Sequence, residues 1–166
     1  MIKKLLVTVL EIVLIALVVY TVITVLNSTS FGEELTDAYV ICQPGDYVNV
    51  RMSPSKKSQA IGYIESGDQF LTDEQMKNGF IHCYGIGECG EGWIHAGYVV
   101  FDEPVKVDRI AYSISKAKLA ARKYIGGKVR KWLKNMAAVT VYWMSDEWCV
   151  TSSGFVKTMY LEMEGT

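Results

Sequence analysis

Behind an apolar N-terminal run, the chain spells one series of short segments twice. The first pass reads Val48-Asn49-Val50-Arg51, Ile61-Gly62-Tyr63-Ile64, Ser66-Gly67-Asp68, Gly79-Phe80-Ile81 and Gly92-Trp93-Ile94-His95, then Tyr98-Val99. The second reads Leu119-Ala120-Ala121-Arg122, Val129-Arg130-Lys131-Trp132-Leu133, Asn135-Met136-Ala137, Glu147-Trp148-Cys149 and Gly154-Phe155-Val156-Lys157, then Tyr160-Leu161. Order, spacing and side-chain type agree, and an internal repeat constrains a fold more strongly than local propensity does. It predicts two small β units in series rather than one larger domain.

The local pattern supports strands. Alternating or β-branched runs lie at Ala38–Cys42, Tyr47–Arg51, Ala60–Ile64, Gln69–Thr72, Phe80–Tyr84 and Gly92–His95. Turn signals such as Gln43-Pro44-Gly45-Asp46 and Lys77-Asn78-Gly79 separate them. Strands this short, broken this regularly, indicate a small barrel or sandwich. One stretch objects: Ile114–Tyr124 is rich in Ala, Lys, Leu and Arg, which favour helix. The repeat register assigns Lys118–Arg122 to a strand, with a helical turn allowed before it.

Val48-Asn49-Val50-Arg51, Pro54, Ile61-Gly62, Gly67-Asp68, Gly92-Trp93-Ile94 and Tyr98-Val99 together resemble the bacterial SH3-like (SH3b) domain of exported and wall-associated proteins. The second copy is more divergent, with Ala120-Ala121-Arg122 for Asn-Val-Arg and Gly154-Phe155 for Gly-Trp. The resemblance implies half-open barrels that bind cell-wall glycan or peptide and do not catalyse. The expected architecture is an all-β ectodomain of two tandem SH3-like half-open barrels behind one N-terminal transmembrane helix. The first domain covers 31–108 (core about 38–101) and the second, divergent one 109–166 (core about 118–162).

Residues 1–30 supply the membrane segment. The run from Leu5 to Leu26 holds one charge, Glu11, and no Gly or Pro. A hydrocarbon core about 30 Å thick takes roughly 20 helical residues, so the run is long enough for one span. Lys3 and Lys4 before it, with Glu33, Glu34 and Asp37 after it, predict an N-in signal anchor with the C-terminal domains outside. The rival reading is cleavage near Ser30, at Ser28-Thr29-Ser30, which yields a secreted protein. Glu11 falls toward the cytoplasmic end, where it reads either as a headgroup-reaching carboxyl or as a helix–helix contact.

A formal net charge of −1 hides an asymmetry. Phe31–Asp108 carries 13 acidic against 5 basic side chains, whereas Arg109–Thr166 carries 4 acidic against 10 basic. Opposite charge is therefore expected to help the two domains associate. The basic run Lys116, Lys118, Arg122, Lys123, Lys128, Arg130, Lys131 and Lys134 reads as a solvated face, as the partner surface of the acidic domain, or as a contact for an anionic polymer.

Four cysteines in an exported region permit disulfides, and Cys83 and Cys89 flank a glycine-rich loop across which they could pair. Their spacing with His82 and His95 matches no standard zinc pattern, so neither metal nor other cofactor is expected. Nor does a nucleophile, a phosphate loop or a paired acid and base appear, and the chain reads as a non-enzyme. Aromatic residues carry the binding signal. Trp93 and Trp148 read as core fillers, whereas Tyr142 and Trp143 are adjacent on a strand and must point to opposite faces. The candidate binding residues are Tyr47, Tyr84 and Trp143 for stacking, with Arg130 and Lys131 for charge. The expected partner is cell-wall glycan or peptide, an anionic wall polymer such as teichoic acid, or an extracellular peptide; nucleic acid is not expected. Two other functions fit the same features: a structural or regulatory subunit docking a partner membrane protein, and an accessory protein of a wall hydrolase.

Overall fold

The computed structural model describes residues 15–21, 34–87 and 90–165. The chain divides into two compact units, Met1–Glu34 and Leu35–Thr166. In the first, residues 15–21 are helical. Among the described residues no helix is long and apolar enough to cross a membrane. The remainder of the expected span, with Lys3, Lys4, Glu11 and the cleavage motif at Ser30, lies outside the described residues.

The second unit is all β. Its first sheet contains β1 (Thr36–Val40), β2 (Tyr47–Arg51), β3 (Ala60–Glu65), β4 (Gln69–Thr72), β5 (Met76–Lys77), β6 (Phe80–Ile86), β7 (Gly90–His95) and β8 (Val99–Val100). Its second contains β9 (Val105–Ser113), β10 (Leu119–Arg122), β11 (Val129–Leu133), β12 (Ala138–Met144), β13 (Trp148–Thr151), β14 (Gly154–Lys157) and β15 (Leu161–Met163). The first runs β3-β2-β7-β6-β4-β1-β8, with β5 paired to β6 off this path, and the second β11-β10-β14-β13-β12-β9-β15. Substituting each strand by its repeat partner converts one order into the other. Even the 3₁₀ turns recur, Ala96–Tyr98 before β8 and Thr158–Tyr160 before β15. Every pairing is antiparallel, and each sheet is open rather than closed on itself.

A glycine in the last long strand of each repeat, Gly92 within β7 and Gly154 at the start of β14, has a steric reason. A Cβ on Gly92 would lie 2.5 Å from Val50 Cγ1 and 3.1 Å from the Arg51 carbonyl oxygen. A Cβ on Gly154 would meet the Arg122 carbonyl oxygen, and this residue also has φ +126°, a conformation that L side chains rarely adopt. Both glycines thus let β7 and β14 cross close over β2 and β10. The arginines at those crossings are used alike: Arg51 Nη1 donates to Ser58 O (2.6 Å) and Arg122 Nη1 to Gly127 O (2.8 Å). Each braces the loop that follows its own strand.

Two details differ from the sequence expectation. The second sheet starts at Val105, ahead of residue 109. No helical turn forms between β9 and β10, because the main chain there is bonded to distant partners. Ile114 N–H donates to Tyr160 O (3.0 Å), and Ser113 O accepts from Met136 N–H (2.7 Å). Tertiary hydrogen bonds outweigh the local helix preference.

Each sheet wraps its own apolar cluster. Val40, Val50, Phe70, Ile81, Cys83 and Ile94 lie in the first; Ala111, Leu133, Val139, Val141, Cys149 and Val156 in the second. A third cluster joins the sheets: Ile41, Val100, Val150 and Phe155, with Tyr98, Tyr124, Ile125, Tyr142, Trp143 and Trp148 against them. Strands β13 and β14 are therefore buried on both faces, Cys149 and Val156 inward and Val150 and Phe155 toward the first module. This apolar seam, rather than the opposite net charges, provides the contact. The ion pairs between described residues, His82–Asp73, Lys106–Asp108 and Lys157–Glu147, each stay within one sheet.

The tryptophans expected to fill the cores do not. Trp93 pairs with His82 and Trp148 with Lys157 on the face opposite Ile81–Ile94 and Cys149–Val156. The period of two in a strand turns Trp93 to the outer face of its sheet and Trp148 away from its own module's core, toward the seam.

Candidate functional site

The residues singled out in the sequence fall in three separate places. Trp143 is half-buried in the seam, its ring so close over Gly67 that a Cβ there would lie 2.6 Å from Trp143 Cη2. It is not the free stacking face expected of it. Its outer edge and the exposed Tyr47 line a cleft of about 390 Å³ at the junction, together with Pro44, Asp46, Glu65, Lys106 and Asp108. The acidic lining of that cleft does not suit an anionic polymer.

Tyr84 lies elsewhere, on the outer face of β6. Its hydroxyl donates to Asp73 Oδ2 (2.9 Å), and its ring meets His82 edge-on at 4.5 Å. His82 Nδ1 is 3.1 Å from the same oxygen and stacks on Trp93 at 4.7 Å. Burial pushes the Asp73 carboxyl up, but His82, the Gln75 amide and Tyr84 outweigh it and hold the group below its ordinary value. This arrangement orders an aromatic face, and neither Tyr47 nor Trp143 belongs to it. Arg130 and Lys131 are exposed on β11, an end strand of the second sheet. They line neither the junction cleft nor the grooves described next.

Cys83 is fully buried in the first core, and its proposed partner Cys89 lies outside the described residues. Cys42 and Cys149 are buried free thiols, and burial raises the pKa of both. Among the described residues no group of three His, Cys, Asp or Glu side chains is placed to hold a metal ion.

A groove formed in both modules brings together residues that no local motif joined. In the first module it is lined by Tyr47, Asn49, Arg51, Phe80, His95 and Tyr98, and by Lys123 and Tyr124 arriving from the second. In the second module the equivalent groove is lined by Lys118, Ala120, Arg122, Trp148, Lys157 and Tyr160, with Trp132, Leu119 and Ala117. The pairing registers supply the correspondence: Val48 faces Ile64 as Leu119 faces Leu133, and Phe80 faces His95 as Trp148 faces Lys157.

The first groove is filled from within the chain. The Tyr124 ring lies 4.6 Å from His95 and 5.9 Å from Tyr98, and Ile125 N–H donates to Gly97 O (2.8 Å). Lys56 Nζ sits 5.8 Å over the same ring. Burial, with the Lys56 charge second, holds the His95 pKa below its ordinary value. About 270 Å³ of groove remains beside this plug, against about 560 Å³ in the second module.

The second groove is aromatic and basic. Trp132 is 57% exposed, and Lys157 lies 5.6 Å over the Trp148 ring while pairing with Glu147 at 2.7 Å. No ion pair between described residues engages Lys118 or Arg122. Lys118 and Arg122 belong to the basic run of the sequence, and Trp132, Trp148 and Lys157 to its repeated segments. Only the repeat register, extended from strands to the groove between them, could have assembled them.

No known family matches the chain, and no curated protein matches it. Among solved structures it is similar to NlpC1 from Trichomonas vaginalis (13% identity, TM-score 0.33, covering 77% of this chain and 45% of that one). It is likewise similar to NlpC2 from the same organism (12% identity, TM-score 0.34, 78% and 48%). The chain spans less than half the length of either. Likenesses this partial carry no functional argument, and the site rests on its own geometry.

Proposed function

We propose that this is a non-catalytic, membrane-anchored cell-envelope protein whose two SH3-like modules bind wall material or an extracellular peptide. The observation that carries the reading is the second-module groove, where Trp132, Trp148 and Tyr160 lie beside Lys118, Arg122 and Lys157. Flat apolar rings with polar edges suit stacking on sugars or cradling an extended chain. Lys118 and Arg122, which no ion pair between described residues engages, suit an anionic ligand. The Leu5–Leu26 run and its flanking lysines support the anchor, with the modules outside and the N-terminus in the cytoplasm.

The test is cosedimentation of the full-length chain, in detergent micelles, with insoluble peptidoglycan prepared with and without teichoic acid. Sedimentation with either material is the expected result. A chain left in the supernatant under both conditions, at low and at physiological salt, would remove the wall-binding reading. The subunit role beside a partner membrane protein would then take its place.

A further inference from the structure

The molecule presents one groove twice and fills only one copy with itself. In the first module the occupant is a piece of polypeptide: Tyr124 seated on His95 and Tyr98, with Ile125 N–H bonded to the Gly97 carbonyl. Among the described residues no aromatic ring packs on Trp132 or Tyr160 in the second. Among the exchanges between the two copies, three bear on the occupant. Lys118 stands where the first module has Tyr47, Lys157 where it has His95, and Met159 where it has Gly97.

These exchanges decide what can enter. The loop of the first module that corresponds to the plug is Met52–Gln59, so a second copy of the chain would offer that loop to the second groove. It contains no aromatic residue, and it carries Lys56 and Lys57 toward a wall that already holds Lys118 and Arg122. Like charges facing one another disfavour that docking. Met159 opposes it too. At Gly97 a Cβ would lie 2.5 Å from Tyr124 Cδ2, so a plug seated in the same way could not pass a methionine.

We infer that the second groove binds an acidic peptide segment, its carboxylates meeting Lys118 and Arg122 and an apolar side chain lying on Trp132. The inference deepens the proposed extracellular binding role and rests on it. Polypeptide is the chosen class because the first groove shows this site accepting main chain and side chain together. Acidity follows from the two unpaired cations. Arg122 spends one N–H on Gly127 O and keeps donors for a carboxylate. Lys157 contributes less, being partly neutralised by Glu147.

The experiment titrates the full-length chain in lipid nanodiscs, followed by tryptophan fluorescence and calorimetry. The probes are a Glu-rich, Tyr-containing peptide, its Lys-rich counterpart, and polygalacturonate as an anionic glycan. The expected result is saturable binding of the Glu-rich peptide alone, weakening as salt rises. Trp132→Ala and Lys118→Glu should each lower that affinity by about tenfold or more. Tyr63→Ala, at the position of the first module that corresponds to Trp132, should leave it unchanged. Equal binding of both peptides, preference for polygalacturonate, or an affinity indifferent to Trp132→Ala would overturn the assignment. Wall cosedimentation, run on the same variants, separates the two ideas. Walls bound without the peptide sink only the groove assignment, and neither bound sinks the binding role as well.

Discussion

The ring of Tyr124 lies edge-on to that of His95, with centroids 4.6 Å apart and planes at 69°. One residue comes from the loop after β10 and the other from the end of β7, so this contact pins the second module into the first. Beneath it Gly97 leaves no room for a side chain, and Phe155 extends the seam by meeting Tyr98 at 5.8 Å. Two small modules, each with a modest core, gain a shared apolar interior in this way.

The plug and its socket should be energetically coupled. Tyr124→Ala is expected to lower unfolding free energy by about 2 kcal/mol through lost aromatic packing. Gly97→Ala should cost about 1–3 kcal/mol by forcing the ring away. The double variant should be less destabilised than the sum of the two, because the added methyl then finds space. Urea unfolding of all four forms measures this cycle.

The same contact makes stability depend on pH. Burial and Lys56 hold the His95 pKa below its ordinary value of 6.5, so the folded chain binds fewer protons there than the unfolded chain. The contribution is complete above the unfolded pKa. It declines as pH falls through 6.5 toward the lower folded value, and levels off beneath that. Thermal melts from about pH 8 to pH 5 should show this loss, and His95→Gln should flatten it. Asp73, held below its ordinary value, adds a separate loss at more acidic pH, as protons titrate through its lowered folded pKa.

The two glycines at the strand crossings, Gly92 and Gly154, should not tolerate substitution equally. Gly154→Ala is expected to cost about 3 kcal/mol, because it combines a positive φ with contact on the Arg122 carbonyl oxygen. Gly92→Ala faces chiefly a valine methyl and should cost about 1–2 kcal/mol. Denaturant midpoints rank the two, and the reverse order would contradict the close crossing of β14 over β10.

Trp143 and the Arg130–Lys131 pair should separate cleanly in their effects. Trp143→Ala is expected to reduce stability by about 2 kcal/mol, since the ring packs in the seam against Gly67. The exposed pair changed to alanine should alter stability by less than about 0.5 kcal/mol. Any effect of that double change on wall binding should appear mainly at low salt, where the Debye length is long. Unfolding curves and cosedimentation on the same preparations distinguish the two roles.

The repeat, written in residues such as Arg51 and Arg122 or Gly92 and Gly154, determined the architecture. Turn chemistry and alternation recur because each module must solve the same strand crossing. Local patterning also placed most strands, since short β-branched runs between Gly, Pro and Asp turns have few other solutions. It misjudged Trp93 and Trp148, because an alternating pattern gives two faces without saying which is inner. It also allowed a helical turn before Lys118, where bonds to Tyr160 and Met136 hold the chain otherwise. What only the tertiary structure decided is how two similar modules become unlike. Tyr124 enters one groove, the β13–β14 face is buried by the first module while the His82–Trp93 face of β6–β7 is not, and Trp143 is drawn from surface to seam. Those outcomes depend on surfaces far apart in sequence meeting in a single arrangement, and neither composition nor periodicity encodes that meeting in any local run of residues.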